Sequence, residues 1–180
     1  MNRLLPTALL ALALLGGCRS TSESLRIMYG NSVRDRTGEG NFSRLDESYL
    51  EQQENRYEIV RGYIKDEKLQ SAEDYLYAGV ILSTSGFEDD LVAAGACGLK
   101  AAELGEDRGF RVAAEAVDRR LMLAGRPQRY GTQYYYVEVI QKWRLYPVDP
   151  KTTDLERQAM GVGTFEQLRA REAELNEELR

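Results

Sequence analysis

The side chains of this chain best suited to chemistry gather around one stretch, Gly125-Arg126-Pro127-Gln128-Arg129-Tyr130-Gly131-Thr132-Gln133, preceded by Asp118 and Arg119. Arg126, Gln128, Tyr130, Thr132 and Gln133 present donors and acceptors that suit contact with a partner. They suit an architectural role equally. A buried irregular connection must find partners for its polar groups, and glutamines can satisfy backbone while Asp118 and Arg119 fasten loop to helix. Glu115 and Asp118 are three apart, hence on one face of a helix, a spacing open to an acid and base pair in a hydrolase or to an ordinary solvated face.

Other chemistries are disfavoured by residue type. The chain contains no histidine, which removes Ser-His-Asp and Cys-His catalysis and the commonest zinc ligand sets together. Cys97 lies among small residues, Ala93 to Gly98, and is expected to be a small buried hydrophobe. Glu88, Asp89 and Asp90 invite a calcium site, but the ligand spacing of a calcium loop is missing, and three carboxylates in a helix's first turn complement its dipole. No cofactor or metal is expected.

The N-terminus indicates a compartment. Arg3 precedes an apolar run, Leu4 to Leu15, too short to span a bilayer, followed by Gly16-Gly17-Cys18, the pattern of a secretory signal peptide. Leu15-Gly16-Gly17-Cys18 resembles the bacterial lipobox, which implies cleavage after residue 17, lipid on Cys18, and attachment to the envelope. Arg19, where an acidic residue is absent, implies forwarding to the outer membrane in a diderm host. With Cys18 lipidated, Cys97 has no partner for a disulfide. The 24 basic and 29 acidic residues are interleaved, with a net charge of −5, so the clustered basic face that nucleic acid needs is missing.

The elements that must position these residues follow from periodicity and punctuation. Residues 18–45, rich in Ser, Gly, Asn and charge, read as a lipidated N-terminus and flexible tether. Residues 46–125 read as a helical-hairpin domain. Its first helix runs from Asp46 to about Lys65 with Leu50, Tyr57, Val60 and Ile64 on one face. Ser71 is placed to cap a second helix, with Tyr75, Leu76, Gly79 and Leu82 inward, ending near Gly86. A third spans Phe87 to Gly105 and is so rich in alanine and glycine that a neighbouring helix is expected to approach closely. A fourth runs from about Asp107 to Ala124, with Phe110, Ala113, Ala114, Val117, Leu121 and Met122 as its stripe. Gly125 supplies the left-handed residue that ends it, and Pro127 cannot continue it.

An offset of 35 pairs Tyr75 with Phe110, Ala78 with Ala113, and Leu82 with Val117, the period of helix-turn-helix repeats. Leu91 to Gly105 is similar to the second helix of a Sel1-type or tetratricopeptide repeat. About one and a half repeats are present, so other elements must cap the stack. Residues 126–180 read as that C-terminal subdomain: the loop, a short hairpin within Thr132 to Val148, and two helices opened by the capping boxes Thr153 to Glu156 and Thr164 to Gln167. In the last helix Phe165, Leu168, Leu175 and Leu179 lie near one face. The fold class is mainly α, stacked antiparallel helix pairs with a small β-hairpin and short C-terminal helices.

Four motifs carry a resemblance, in order: Asp118-Arg119; Gly125 to Gln133; Pro147-Val148-Asp149-Pro150-Lys151-Thr152-Thr153-Asp154; and Glu174-Leu175-Asn176. They resemble a bacterial family built on a domain of unknown function, many of whose members are secreted or lipid-anchored and carry Gly-Lys/Arg-Pro-Gln-x-Tyr/Phe-Gly-Thr-Gln. The likeness implies helical hairpins plus a small C-terminal subdomain and names no reaction. Family members often place histidines near positions where this chain has Thr84, Ser85 and Gly95, so an imidazole mechanism is closed to it. The resulting expectation is a lipid-anchored envelope module that binds a protein or peptide, or serves as a scaffold; the alternative is an envelope hydrolase using carboxylates of the fourth helix. A contact of the Tyr134 to Tyr136 strand with peptidoglycan sugars is a third possibility.

Overall fold

The computed structural model describes residues 19–37 and 47–179. The leader, Cys18 and Asp46 lie outside these. Seven helices and one two-stranded antiparallel sheet are formed among the described residues, a mainly helical architecture of packed helix pairs with a small hairpin. The helices are α1 (Thr21–Thr37), α2 (Glu47–Lys65), α3 (Ala72–Leu82), α4 (Glu88–Glu103), α5 (Arg108–Leu123), α6 (Asp154–Ala159) and α7 (Phe165–Glu177). The strands β1 (Tyr134–Val137) and β2 (Lys142–Leu145) pair Tyr134 with Leu145 and Val137 with Lys142. No described helix is long and apolar enough to cross a membrane.

The stretch expected to be a tether is corrected over Thr21–Thr37, where it is helical. Leu25 is fully buried and Met28 nearly so, in a core with Tyr57, Val60, Leu69, Ile81 and Leu82. The helix is poor in apolar residues, and its burial is completed by Ser32, which accepts from Arg56, while Asp35 takes the other Arg56 nitrogen at 2.7 Å. On α2 the inward residues are Arg56, Tyr57 and Val60, whereas Leu50 is 56% exposed.

Local signals set the ends of the next helices. Ser71 accepts from the Asp74 N–H while Asp74 accepts from the Ser71 and Gln70 N–H groups, closing a capping box at the start of α3. The helix stops at Leu82, four residues short of Gly86. At the end of α5, Gly125 sits at φ +68, its N–H donates to Met122, and the Arg126 N–H reaches back to Leu121, so the last carbonyls are satisfied.

The small residues of α4 do bring a neighbour close. A Cβ on Gly98 would lie 2.6 Å from the Gly109 carbonyl oxygen and 2.8 Å from the Ala113 nitrogen, so α4 and α5 touch backbone to backbone. Gly79 on α3 is also confined, 2.9 Å from Val112 by the same measure.

The C-terminal residues form their own core, Tyr130, Leu145, Val162 and Leu168, closed against Ala114 of α5. The hairpin turns through a 3-10 turn at Glu138–Ile140 with Gln141 left-handed at φ 48. One edge of β2 pairs with β1; the other is covered by α7. Glu172 accepts the Leu145 N–H and Asn176 accepts the Trp143 N–H, both at 2.8 Å. Residues four apart on a helix match residues two apart on a strand, each a step of about 6–7 Å, which lets side chains replace a third strand. The inward face of α7 is therefore Leu168 and Glu172, with Phe165 and Leu179 exposed, which corrects the expected stripe.

Candidate functional site

Asp118 is the centre about which residues 128 to 133 are arranged. It is fully buried, and its carboxylate accepts five hydrogen bonds. Oδ1 takes the Arg129 and Tyr130 N–H groups at 2.7 and 2.8 Å; Oδ2 takes the Gly131 and Thr132 N–H groups at 2.8 and 2.9 Å and the Thr132 hydroxyl at 2.9 Å. Four consecutive amides can converge on one carboxylate only if the chain curls tightly. Gly131 at φ +97 makes that curl, and a Cβ there would collide with the Leu168 side chain.

Gln128, also fully buried, ties the loop to the hairpin. Its Nε2 donates to the carbonyls of Gln133 and Tyr146, its Oε1 accepts the Gln133 N–H, and its backbone bonds Pro147 and Asp149 across a parallel bridge. Tyr130 packs in the C-terminal core, with the Arg129 guanidinium 5.2 Å from its ring centre. Thr132 and Gln133 bond each other through their side chains. Arg119 points elsewhere: its Nε donates to the Ser85 carbonyl and one terminal nitrogen to that of Thr84, which locks α5 to the turn between α3 and α4. Arg126 is on the surface. The sequence-singled residues thus divide into a buried joint (Asp118, Gln128, Tyr130, Thr132, Gln133), a second fastener (Arg119) and one exposed cation (Arg126).

This geometry bears on the chemistry. Each Asp118 oxygen is occupied by two or three donors at a site without solvent access, so Asp118 has no lone pair to offer a substrate proton. Glu115 beside it is held by Arg111 at 3.0 Å. The acid and base pairing of these two carboxylates is not what α5 provides. Asp90 of the acidic first turn is likewise engaged: Arg61 grips both its oxygens at 2.7 Å, and the Ser85 hydroxyl donates to it. Burial works to raise the Asp90 carboxyl, and these partners outweigh it and hold it below its usual range. Cys97 is buried, and burial pushes its thiol up to about 12, so the thiolate is scarce at neutral pH. Tyr134 turns inward and bonds the Leu168 carbonyl, leaving Tyr135 and Tyr136 half-exposed against Tyr146 and Trp143.

The open surfaces are built mainly from residues the sequence did not single out as a site, with Arg119 and Tyr130 each at the border of one. A cleft of about 630 Å³ lies between α1, α2 and the turn after α3, with Asp35, Tyr49, Gln53, Thr84 and Arg119 on its walls. A groove of about 320 Å³ runs over α4 and α5, floored by Gly95, Ala96 and Ala116 and walled by Val92 and Leu99, with Tyr130 and Met160 also lining it. Val92 and Leu99 are 50% and 52% exposed. The signal for this groove was their spacing of seven on a helix whose other side is alanine and glycine: bulk on one face, contact on the other.

The comparisons with known proteins return no match to any family model, curated protein or solved structure.

Proposed function

We propose that this chain is a lipid-anchored module of the bacterial cell envelope, outer membrane if the host has one, that binds a protein or peptide partner and serves as a scaffold for it. The observation that carries the binding part is the groove over α4 and α5, where two half-exposed aliphatic side chains flank a floor of small residues. What sets these two apart from the chain's other exposed aliphatic side chains is that they border a concave apolar hollow, the shape in which binding sites occur. The joint around Asp118 supports the same view, because it makes a rigid wall for one side of the groove through Tyr130.

The anchoring part rests on the lipobox resemblance and on the four motifs that resemble a family many of whose members are secreted or lipid-anchored. Since α1 begins at Thr21, three residues past Cys18, the lipid would hold the helical body within about 10 Å of the bilayer surface.

Two measurements test the proposal. Cys18→Ser should move the protein from the membrane fraction to the soluble one; unchanged fractionation would overturn the anchor. A photo-crosslinking amino acid at Val92 should capture a discrete partner in cells that the same group at Val139, 95% exposed on the hairpin, does not. Equal capture at both sites would remove the groove from the binding role.

A further inference from the structure

The groove does not end blind. A second hollow of about 270 Å³ continues it toward the start of α4, and the two share Leu91 and Arg120. This second hollow is lined by Arg120 and Arg126 with Glu88 and Leu121. Glu88 is the one carboxylate among the described residues that line either hollow. Its hold on Arg120 is loose, a 3.9 Å contact with the Glu88 side chain 75% exposed. The surface is thus apolar over one half and carries two arginines, one weakly engaged, over the other.

We propose that this surface binds a peptide segment in which aliphatic side chains stand next to an acidic residue, the aliphatic part over Gly95 and Ala96 and the carboxylate between Arg120 and Arg126. This rests on the peptide-binding function proposed above and names its ligand class. Charge complementarity selects the acid: arginine offers a planar fork of donors that fits a carboxylate in two bonds. The shape selects a peptide over a buried acyl chain, because the groove is open along its length, with both flanking side chains half in water. The hollows together fall within the roughly 300–1,000 Å³ typical of compact binding sites. Glu88 acts as an internal competitor that an incoming carboxylate displaces from Arg120.

The test uses the full-length chain in detergent micelles and a phage-displayed library of random dodecapeptides, followed by fluorescence anisotropy with one enriched peptide. Enriched sequences should carry two or more aliphatic residues beside Asp or Glu. Binding of the chosen peptide should weaken at least tenfold in the Arg120→Ala, Arg126→Ala double variant, strengthen about twofold or more in Glu88→Gln, and vanish in Ala96→Trp, whose exposed position lets the indole fill the groove. Melting curves of all variants should match the parent. Basic or uncharged enriched peptides, or a double variant that binds as the parent does, overturn the acidic ligand while the peptide-binding function stands. An absence of peptides distinguishing the parent from Ala96→Trp overturns both.

Discussion

Thr132 donates twice to one oxygen of Asp118, through its backbone N–H and its hydroxyl, each at 2.9 Å. With the amides of residues 129 to 131 converging on the same carboxylate, α5 and the C-terminal subdomain meet on one buried charge. Asp118→Asn would turn an acceptor into a donor facing N–H groups that have no water to fall back on. Hydrogen bonds to charged groups contribute about 1.5–3 kcal/mol each, and unmet buried donors add to the loss. The expected destabilisation is about 3 kcal/mol or more, a fall in Tm of about 6–12 °C for a chain of this size, measurable by circular dichroism. A melt within about 1–2 °C of the parent, the scatter of an ordinary surface substitution of about ±0.5 kcal/mol, would refute the role given to Asp118.

Two glycines three residues apart on α4 should respond in opposite directions. Gly98→Ala places a Cβ 2.6 Å from the Gly109 carbonyl and forces α4 from α5, at a cost of about 2 kcal/mol. At Gly95 the nearest atom is the Ala116 Cβ at 3.8 Å, ordinary contact, so Gly95→Ala gains helix propensity of about 0.5–1 kcal/mol. Urea unfolding of both variants decides the matter. Equal effects would show that the helix contact is not where it is placed here.

Acid should weaken the fold through a small set of carboxylates. Asp90, Asp74 and Glu172 are buried, which works to raise their pKa values, yet their partners win and all three are lowered. For Asp74 the partners are Ser22, Ser71 and Gln70; for Glu172 they are the Leu145 N–H and Arg144, then Arg169. A lowered folded pKa means the unfolded chain takes up protons first, so the stabilisation is complete above the ordinary carboxylate range, about pH 4, and drains away as pH falls through the lowered values. The urea midpoint should be flat from about pH 8 to 5 and fall steeply below about 4. In Asp90→Asn the fall should be shallower; the same slope as the parent would exclude Asp90 from the acid transition.

Leu25→Ala distinguishes a packed α1 from a tether. Leu25 is fully buried, and its truncation should cost about 2–5 kcal/mol. No change in Tm would return residues 21–37 to the role of a linker.

Much of the fold was legible where its cause is local. Thr153 and Thr164 each form the capping box that their spacing to Glu156 and Gln167 implies, and Ser71 caps α3 as its place in the chain suggests. Gly125 takes the left-handed conformation that ends α5, and the glycines of α4 permit the approach their presence suggested. Helix α1 was not legible because its burial uses Leu25, Met28 and Ser32 together with Arg56, a residue of another helix. The covering of β2 by Glu172 and Asn176 was hidden for a similar reason: nothing near a glutamate in a helix tells that an unpaired strand edge will lie against it.

By itself, then, the sequence determined the punctuation of the chain, its helical class and the chemistries denied to a protein without histidine, since caps, breakers and residue types act within a turn or two of themselves. Tertiary structure alone decided which polar side chains are spent and which surface is open. Asp118 and Arg126 look equally available along the chain; one is enclosed by five donors and the other lies at the mouth of a groove. That difference depends on α5, the loop and α7 arriving at the same place, and burial is a property of the packed whole rather than of any segment.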